Sequence, residues 1–257
     1  MKIALIQMTS GLEPKENLAK LDAWLSEAYA AGAKVAFLPE VFYSMSNGLA
    51  PSPHLPDGGN EHDQAIKNLA IKNKIAIVGG SAAAKLGGNI INRAYNFDAN
   101  GNDLGHYDKR KLFACDLSNT KLTEADIYTS GNEARVVEVE DWKIGLGICF
   151  DLRYPEFARA YNKAGAEILT FASAFTVPTG RAHWHTLLKA RAIENQCYVI
   201  ASGQWGEHND RIRTFGHSLV VDPWGEIVVD AGEGEKVVYA ELSHKRVADV
   251  RAMIKMT

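Results

Sequence analysis

The sequence predicts an α/β fold in which two stacked, mixed β-sheets are covered by helices on both outer faces. Short apolar strands alternate with amphipathic helices along the 257 residues, and several strands are adjacent in sequence. The pattern also repeats, because Ala-Gly-Ala at 31–33 and again at 164–166 stands directly before an apolar strand. No Gly/Ser-rich linker divides the chain. We therefore expect one domain over residues 1–257.

The first half of the chain opens with an apolar strand at 2–8. Leucines at helical spacing follow, and Gly32 suits the left-handed conformation that ends a helix. A short strand from Val35 then runs into Pro39 and Glu40. The pattern further predicts a helix near 61–73, strands at 75–80 and near 90–97, a hairpin turn at 98–101 and a strand that ends near 107.

The second half of the chain begins with two strands between 134 and 148, on either side of Asp141. Pro155 then opens a helix, since a proline in the first helical turn loses no hydrogen bond. The remaining pattern predicts a strand at 168–173, a long helix near 182–195, strands at 197–203, 214–221 and 226–230, and a turn at 222–225.

Charge and hydropathy exclude several classes of partner. The net charge is −3 and the cationic side chains are mixed with anionic ones, so no basic stripe is available for a nucleic-acid backbone. The N-terminal apolar run is too short for a signal peptide, and no apolar stretch is long enough to span a membrane. We expect a soluble, cytoplasmic protein without nucleic-acid or membrane partners.

The cysteines, at 115, 149 and 197, are too widely spaced to indicate a disulfide framework or a structural zinc site. Cys149 ends an apolar strand in which Gly145 and Gly147 would let other backbone approach closely. Backbone N–H groups beyond the strand end would favour a thiolate and stabilise an oxyanion. Position alone favours a buried packing residue, because free cysteine is among the most buried residue types.

Glu40 is the second candidate, because it directly follows the apolar stretch 35–39. A buried carboxylate there would accept a proton from a thiol. A helix cap or a surface glutamate is the competing interpretation. Glu40 and Cys149 both lie just beyond a buried strand, in comparable positions of the two apparent halves, and a pseudo-twofold axis would bring them together.

A basic segment at 107–113 supplies candidate cations. In an extended conformation, alternation places Tyr107, Lys109 and Lys111 on one side of this segment. A lysine that faces the thiol would stabilise negative charge on a substrate oxygen. Spacing does not choose between Lys109 and Lys111, and a solvated loop is the usual interpretation of such a run.

Together these motifs resemble those of the carbon-nitrogen hydrolase, or nitrilase, superfamily. The motifs are Leu-Pro-Glu at 38–40, Tyr-Asp-Lys-Arg-Lys-Leu-Phe at 107–113 and the segment 145–156 around Cys149. The resemblance covers nearly the whole chain. It implies a four-layer αββα sandwich, a homodimer or higher homo-oligomer, and a Glu-Lys-Cys triad that uses neither a metal nor an organic cofactor.

The resemblance also assigns a role to individual residues. Glu40 matches the general base, Cys149 matches the nucleophile that forms a thioester, and Lys109, rather than Lys111, matches the lysine of the triad. Two other positions of the basic motif depart from the family's usual residues. Glu124 matches a second glutamate that helps to position the lysine or the substrate.

Later segments are typical of the Nit branch, whose amidases act on small carboxylated amides. They are most similar to Nit1-type enzymes, which implies hydrolysis of a linear amide to acid and ammonia, with deaminated glutathione as the substrate. An ω-amidase acting on α-ketoglutaramate or α-ketosuccinamate is the nearest alternative. A nitrilase, an N-carbamoyl-amine hydrolase and a catalytically silent binding protein are the others. The segments are 172–184, 191–196, 215–218 and 220–225.

The substrate contacts that we expect are Phe150, Arg153, Phe175 and Thr176. The backbone N–H of Phe150 would share the oxyanion with Lys109. Arginine suits a carboxylate because its planar guanidinium donates two parallel hydrogen bonds. The other arginines that the sequence offers, without placing them, are Arg181, Arg211 and Arg213.

Histidines near these segments are candidate metal ligands or bases. His183 and His185 are two apart on a predicted helix, so they point to different sides and do not make a metal pair. We interpret both as packing or pocket-rim residues. His217 either contacts substrate or is a hydrogen-bonded structural histidine. Trp184 and Trp205 are candidate pocket aromatics or simple packing residues.

Overall fold

A computed structural model describes residues 1–117 and 120–256 of the chain. Its helices are α1 (Pro14–Ala30), α2 (Glu61–Asn73), α3 (Pro155–Lys163), α4 (Val177–Asn195) and α5 (His244–Met253). None of the helices in these ranges is long and apolar enough to cross a membrane.

The strands, in chain order, are β1 (Lys2–Gln7), β2 (Val35–Phe37), β3 (Ala76–Val78), β4 (Ser81–Leu86), β5 (Asn89–Ala94), β6 (Tyr107–Asp108), β7 (Ala114–Leu117), β8 (Thr120–Thr123), β9 (Val136–Val139), β10 (Trp142–Ile148), β11 (Ile168–Ala172), β12 (Tyr198–Ala201), β13 (Trp205–Glu207), β14 (Arg213–Phe215), β15 (Leu219–Val221), β16 (Ile227–Asp230) and β17 (Lys236–Glu241).

Two sheets form the centre of the molecule. The first has the strand order β17, β1, β2, β3, and the second has the order β16, β15, β12, β11, β10, β9. The inner strands of each sheet run parallel, whereas β17, β9 and β15 pair antiparallel with their neighbours. Both sheets are therefore mixed, as the sequence predicts.

The alternation of side chains along the strands creates two apolar interfaces. Ile3 and Leu5 of β1 pack in one core cluster with residues of the second sheet and of α3 and α4. Ala4 and Ile6, on the opposite face of the same strand, pack with α1 and α2. The layers are thus helices, sheet, sheet and helices, which confirms the predicted αββα sandwich.

The two halves of the sandwich contain the predicted repeat. Gly32 (φ +84°) follows α1 and Gly165 (φ +83°) follows α3, and each glycine leads into a parallel strand, β2 or β11. Glu40 and Cys149 both follow buried strands of these units, but not equivalent ones. Glu40 follows β2, which comes after its helix, whereas Cys149 follows β10, which comes before its helix. The expected equivalence of their positions is therefore wrong.

Several element boundaries differ from those predicted. Helix α4 begins at Val177 rather than near 182, with Pro178 in its first turn. The stretch 214–221 is two strands of different sheets, because Gly216 and His217 both have positive φ and break it. Strands β4, β7, β8, β13 and β17 and helix α5 were not predicted. The turns at 98–101 and around Asp141 are confirmed.

The glycines of β10 accommodate aromatic rings rather than backbone. A Cβ atom at Gly145 would lie 2.6 Å from the Tyr161 ring, and one at Gly147 would lie 2.8 Å from the Phe171 ring. The expectation of a close backbone approach is therefore wrong for both positions. Tyr161 belongs to α3, so Gly145 lets this helix pack tightly on the strand that ends at Cys149.

Candidate active site

The carboxylate of Glu40 is buried and held on both oxygens. Oε1 accepts hydrogen bonds from Asn92 Nδ2 at 2.9 Å and from Lys109 Nζ at 2.8 Å. Oε2 accepts one from the backbone N–H of Ala174 at 2.9 Å. A carboxylate has about four acceptor positions. Three of these positions are used, so Glu40 can accept one more hydrogen bond. Because Glu40 is buried, its interpretation as a surface residue is wrong.

Lys109 lies between two glutamates. Its fully buried ammonium donates to Glu40 Oε1 at 2.8 Å and to Glu124 Oε1 at 2.7 Å. Burial opposes the charge, but the carboxylates of Glu124 and Glu40 outweigh it and hold the pKa of Lys109 well above its usual value. Lys109 is therefore a fixed cation at neutral pH.

Glu124 is the second carboxylate that contacts Lys109. Besides accepting from Lys109, it accepts from the backbone N–H of Phe113 at 2.6 Å through Oε2. Burial raises the pKa of the Glu124 carboxyl, against the lowering effect of the Lys109 ammonium. The structure thus brings Glu124 into direct contact with the lysine that the sequence predicts it to position.

Cys149 begins a 3-10 turn, residues 149–153, immediately after β10. Its φ of +47° is uncommon for a residue with a side chain. Burial and the Glu40 carboxylate raise the pKa of Cys149 well above its usual value, although Lys109 lowers it. A raised pKa favours the neutral thiol over the thiolate expected from the sequence. A base is required to activate it.

Asp151 is a residue of this region that the sequence analysis missed. It is buried, and it accepts hydrogen bonds from Tyr107 Oη at 2.7 Å and from the backbone N–H groups of Lys111 and Ile148, each at 2.9 Å. Asp151 therefore ties the turn that carries Cys149 to the segment that carries Lys109. The sequence feature that could have identified it is an acidic residue two positions after Cys149.

A cavity of about 460 Å³ opens above these groups. Its lining includes Glu40, Glu124 and Cys149, so the two glutamates and the thiol face the same cavity. Lys109 contacts both glutamates. All four predicted substrate contacts also line the cavity: Phe150, Arg153, Phe175 and Thr176.

Four arginines line this cavity. Arg153 comes from the Cys149 turn, and Arg181 comes from the start of α4. The Arg153 guanidinium lies over the Phe175 ring, 5.5 Å from its centroid. Arg211 and Arg213 come from the β13–β14 hairpin, which lies beside the start of α4 because Thr214 pairs with Thr176. The sequence offered these arginines without placing them, because three separate elements bring them together.

Several other candidates lie elsewhere in the described part of the chain. The Lys111 ammonium lies 4.6 Å from the centroid of the Tyr154 ring, away from Glu40. Trp184 is buried and packs on Phe175 at 4.7 Å between centroids, so it is a packing residue. His217 is hydrogen-bonded to Asp230 at 3.0 Å, as its structural interpretation expects.

The class of the protein follows from its similarity to a known family. A family model described as carbon-nitrogen hydrolase matches residues 2–252. The chain belongs to the carbon-nitrogen hydrolase family. This carbon-nitrogen hydrolase therefore acts on carbon–nitrogen bonds other than peptide bonds, as the sequence predicts.

Two kinds of amidase are among its relatives. The chain is 34% identical over 255 residues to a deaminated glutathione amidase of Synechocystis sp., covering 96% of this chain and 93% of that protein. It is 31% identical over 255 residues to omega-amidase NIT2 of Homo sapiens, covering 98% of this chain and 92% of that protein. The carbon-nitrogen hydrolase is thus related both to deaminated glutathione amidases and to ω-amidases.

Solved structures show the same fold. Saccharomyces cerevisiae Nit3, a member of branch 10 of the nitrilase superfamily, matches with a TM-score of 0.88 and 30% identity, covering 100% of this chain and 95% of that one. The Caenorhabditis elegans NitFhit protein matches with a TM-score of 0.88 and 34% identity, covering 98% of this chain and 63% of that one. The carbon-nitrogen hydrolase therefore has a nitrilase-superfamily fold of the Nit type.

Proposed function

We propose that the protein is an amidase for deaminated glutathione. The observation that carries this proposal is that four arginines line the cavity: Arg153, Arg181, Arg211 and Arg213. Arginine binds carboxylates through charge-assisted, paired hydrogen bonds. Four arginines in one cavity suit a substrate that has more than one carboxylate.

Deaminated glutathione has this character. It is an α-keto acid joined through a side-chain amide to cysteinylglycine, so one carboxylate lies on each side of the scissile bond. Arg153 shares a turn with Cys149, and we assign it to the keto-acid carboxylate near the reacting carbonyl. Arg211 and Arg213 are exposed on a hairpin, and we assign them to the distal glycine carboxylate. The leaving group is then an amine, not the ammonia expected from the sequence.

Acylation begins with the neutral thiol. Glu40 accepts the thiol proton, and the Cys149 sulfur attacks the amide carbon, which places a negative charge on the carbonyl oxygen. The Lys109 ammonium and the Phe150 backbone N–H stabilise that oxyanion. The C–N bond then breaks, the protonated Glu40 delivers its proton to the departing nitrogen, and a thioester remains.

Deacylation uses the same carboxylate a second time. Glu40 takes a proton from a water molecule, whose oxygen attacks the thioester carbon. The tetrahedral intermediate collapses, the C–S bond breaks, and the proton returns to the Cys149 sulfur. Glu124 holds Lys109 in place during both steps. The raised pKa of Lys109 supports this assignment, because the ammonium keeps its charge between two carboxylates.

The second candidate function is that of an ω-amidase on α-ketoglutaramate or α-ketosuccinamate. The relationship to omega-amidase NIT2 favours it. These substrates have one carboxylate and release ammonia. Steady-state kinetics with deaminated glutathione and with α-ketoglutaramate distinguishes the two functions. We expect the higher kcat/KM with deaminated glutathione, and a higher value with α-ketoglutaramate would favour the ω-amidase.

We also propose that the protein is a cytoplasmic homo-oligomer, with a dimer as the simplest form. Exposed apolar side chains near the end of α4 and on the edge strand β16 support self-association: Ile193, Trp224, Ile227 and Val228. Light scattering after size-exclusion chromatography measures the mass. A monomer of 28.1 kDa at micromolar concentration would contradict the proposal.

A further inference from the structure

A second cluster of reactive side chains lies outside the cavity lining. His185 from α4, His217 from the break between β14 and β15, and Asp230 at the end of β16 face one another. His185 Nε2 lies 2.8 Å from Asp230 Oδ2, and His217 Nδ1 lies 3.0 Å from Asp230 Oδ1. Among the residues that the structure describes, no other group of three histidine, cysteine or acidic side chains is gathered in this way.

We infer that these three residues form a binding site for a divalent cation of the zinc class. Two imidazole nitrogens and one carboxylate oxygen are a ligand set that Zn²⁺ accepts, with a fourth position left to water. His183 and His185 were correctly excluded as a pair, because His183 lies instead next to Arg153, at 3.2 Å. The partner of His185 is His217, which is distant in sequence.

The distances fit a cation after a small adjustment. The three ligand atoms all lie within 4.8 Å of one another. Zinc bonds of about 2.0–2.1 Å place tetrahedral ligand atoms roughly 3.4 Å apart. With Asp230 Oδ2 as the carboxylate ligand, its separation from His185 Nε2 (2.8 Å) must widen by about 0.6 Å and its separation from His217 Nδ1 (3.2 Å) by about 0.2 Å. Each imidazole must present an unprotonated nitrogen to the metal, so a proton on that nitrogen moves to the other ring nitrogen or to solvent.

The surroundings hold His217 and Asp230 in this arrangement. The backbone N–H of His217 donates to Gly232 O at 3.0 Å, and its carbonyl accepts from Trp184 Nε1 at 2.8 Å. The backbone N–H of Gly232 in turn donates to Asp230 Oδ1 at 2.8 Å. His217 has a φ of +54°, and the ring of Phe215 stacks on it at 4.4 Å between centroids. Such contacts orient metal ligands before the metal arrives.

A cation here would connect elements that also reach the cavity. Helix α4 contributes both His185 and the cavity residue Arg181, and β14, just before His217, contributes Arg213 and Thr214. A bound metal therefore links α4 to the segment that directly follows β14, the strand that contains Arg213. Because it binds only the folded arrangement, it raises thermal stability by mass action.

The test is a calorimetric titration of the full-length protein with Zn²⁺, in a Cys149→Ala background so that the active-site thiol is not a ligand. We expect one equivalent to bind. His185→Gln and Asp230→Asn, each in that background, should weaken binding at least tenfold. His244→Gln is the matched control, since His244 also pairs with a carboxylate, Glu167 at 3.1 Å, but has no second imidazole.

Two results would overturn the site: no binding to the Cys149→Ala protein, or undiminished binding after His185→Gln. A Co²⁺ titration adds a readout that does not depend on stability, because tetrahedral coordination gives a distinctive visible absorption. We expect this absorption to require His185 and Asp230 and to survive His244→Gln. Equal spectra for all variants would contradict the assignment.

Discussion

The ammonium of Lys109 and the carboxylate of Glu40 form a buried ion pair, with 2.8 Å between Nζ and Oε1. This pair gives the thiol of Cys149 two opposite influences, because Glu40 raises its pKa and Lys109 lowers it. The base and the oxyanion-stabilising cation of the proposed mechanism are thus the two charges that set the state of the nucleophile.

The first prediction concerns the pKa of Cys149. Replacing Glu40 with Gln removes a negative charge and should lower this pKa, so that alkylation by iodoacetamide at pH 7 becomes about tenfold faster or more. The same variant should lose amide turnover. Replacing Lys109 with Met should slow alkylation, since a positive charge is lost. Shifts of the same sign in both variants would contradict the electrostatic account.

The second prediction concerns Asp151, whose burial raises its pKa from 3.8 to about 6. A carboxyl with a raised pKa contributes stability that is complete below about pH 4 and is lost as the pH rises to about 6. Two pKa units correspond to about 3 kcal/mol. The Asp151→Asn variant lacks this titration, so its stability relative to wild type should rise by about that amount between pH 4 and pH 7.

Urea unfolding at several pH values measures the effect of Asp151→Asn. A difference in unfolding free energy that does not change with pH would show that Asp151 does not titrate in this range. The variant should also have a lower kcat, because an amide offers fewer acceptor positions to the three donors that join the Cys149 turn to the Lys109 segment.

The third prediction concerns the packing of α3 on β10. Gly145→Ala places a methyl group 2.6 Å from the Tyr161 ring, so we expect a loss of about 1–3 kcal/mol of unfolding free energy. Gly11→Ala is the matched control, because no atom lies within 4 Å of its added Cβ and its φ is not positive. Equal stability of the two variants in urea would contradict the tight packing.

The fourth prediction separates the roles of Arg211 and Arg153. Arg211→Ala should lower kcat/KM for deaminated glutathione by about tenfold, the value of one charge-assisted contact in a partly exposed site. It should leave kcat/KM for α-ketoglutaramate nearly unchanged, because that substrate has no distal carboxylate. Arg153→Ala should lower both. An equal effect of Arg211→Ala on both substrates would contradict the assignment of Arg211.

The sequence was sufficient for the layered fold and for the residues that meet in the site. Apolar periodicity predicts β1, β2, β10 and β11, and the family motifs select Glu40, Lys109, Glu124 and Cys149. These features are local, since each strand or motif is a short run of residues. Burial of the runs then brings their ends to one edge of the sandwich.

Other features depend on contacts that no local pattern contains. Asn92 and Ala174 hold the two oxygens of Glu40 from positions 52 and 134 residues away. The raised pKa of the Cys149 thiol depends on burial and on the charge of the Glu40 carboxylate. The predicted strand at 214–221 is interrupted by a positive φ at His217. A histidine in the sequence does not predict this conformation.

The most direct test of the account is the turnover of deaminated glutathione by the Cys149→Ala variant. The thioester mechanism predicts that kcat falls below detection, while the circular dichroism spectrum and the unfolding midpoint stay close to those of wild type. A Cys149→Ala protein that hydrolyses the amide at the wild-type rate would contradict the central claim that Cys149 is the nucleophile.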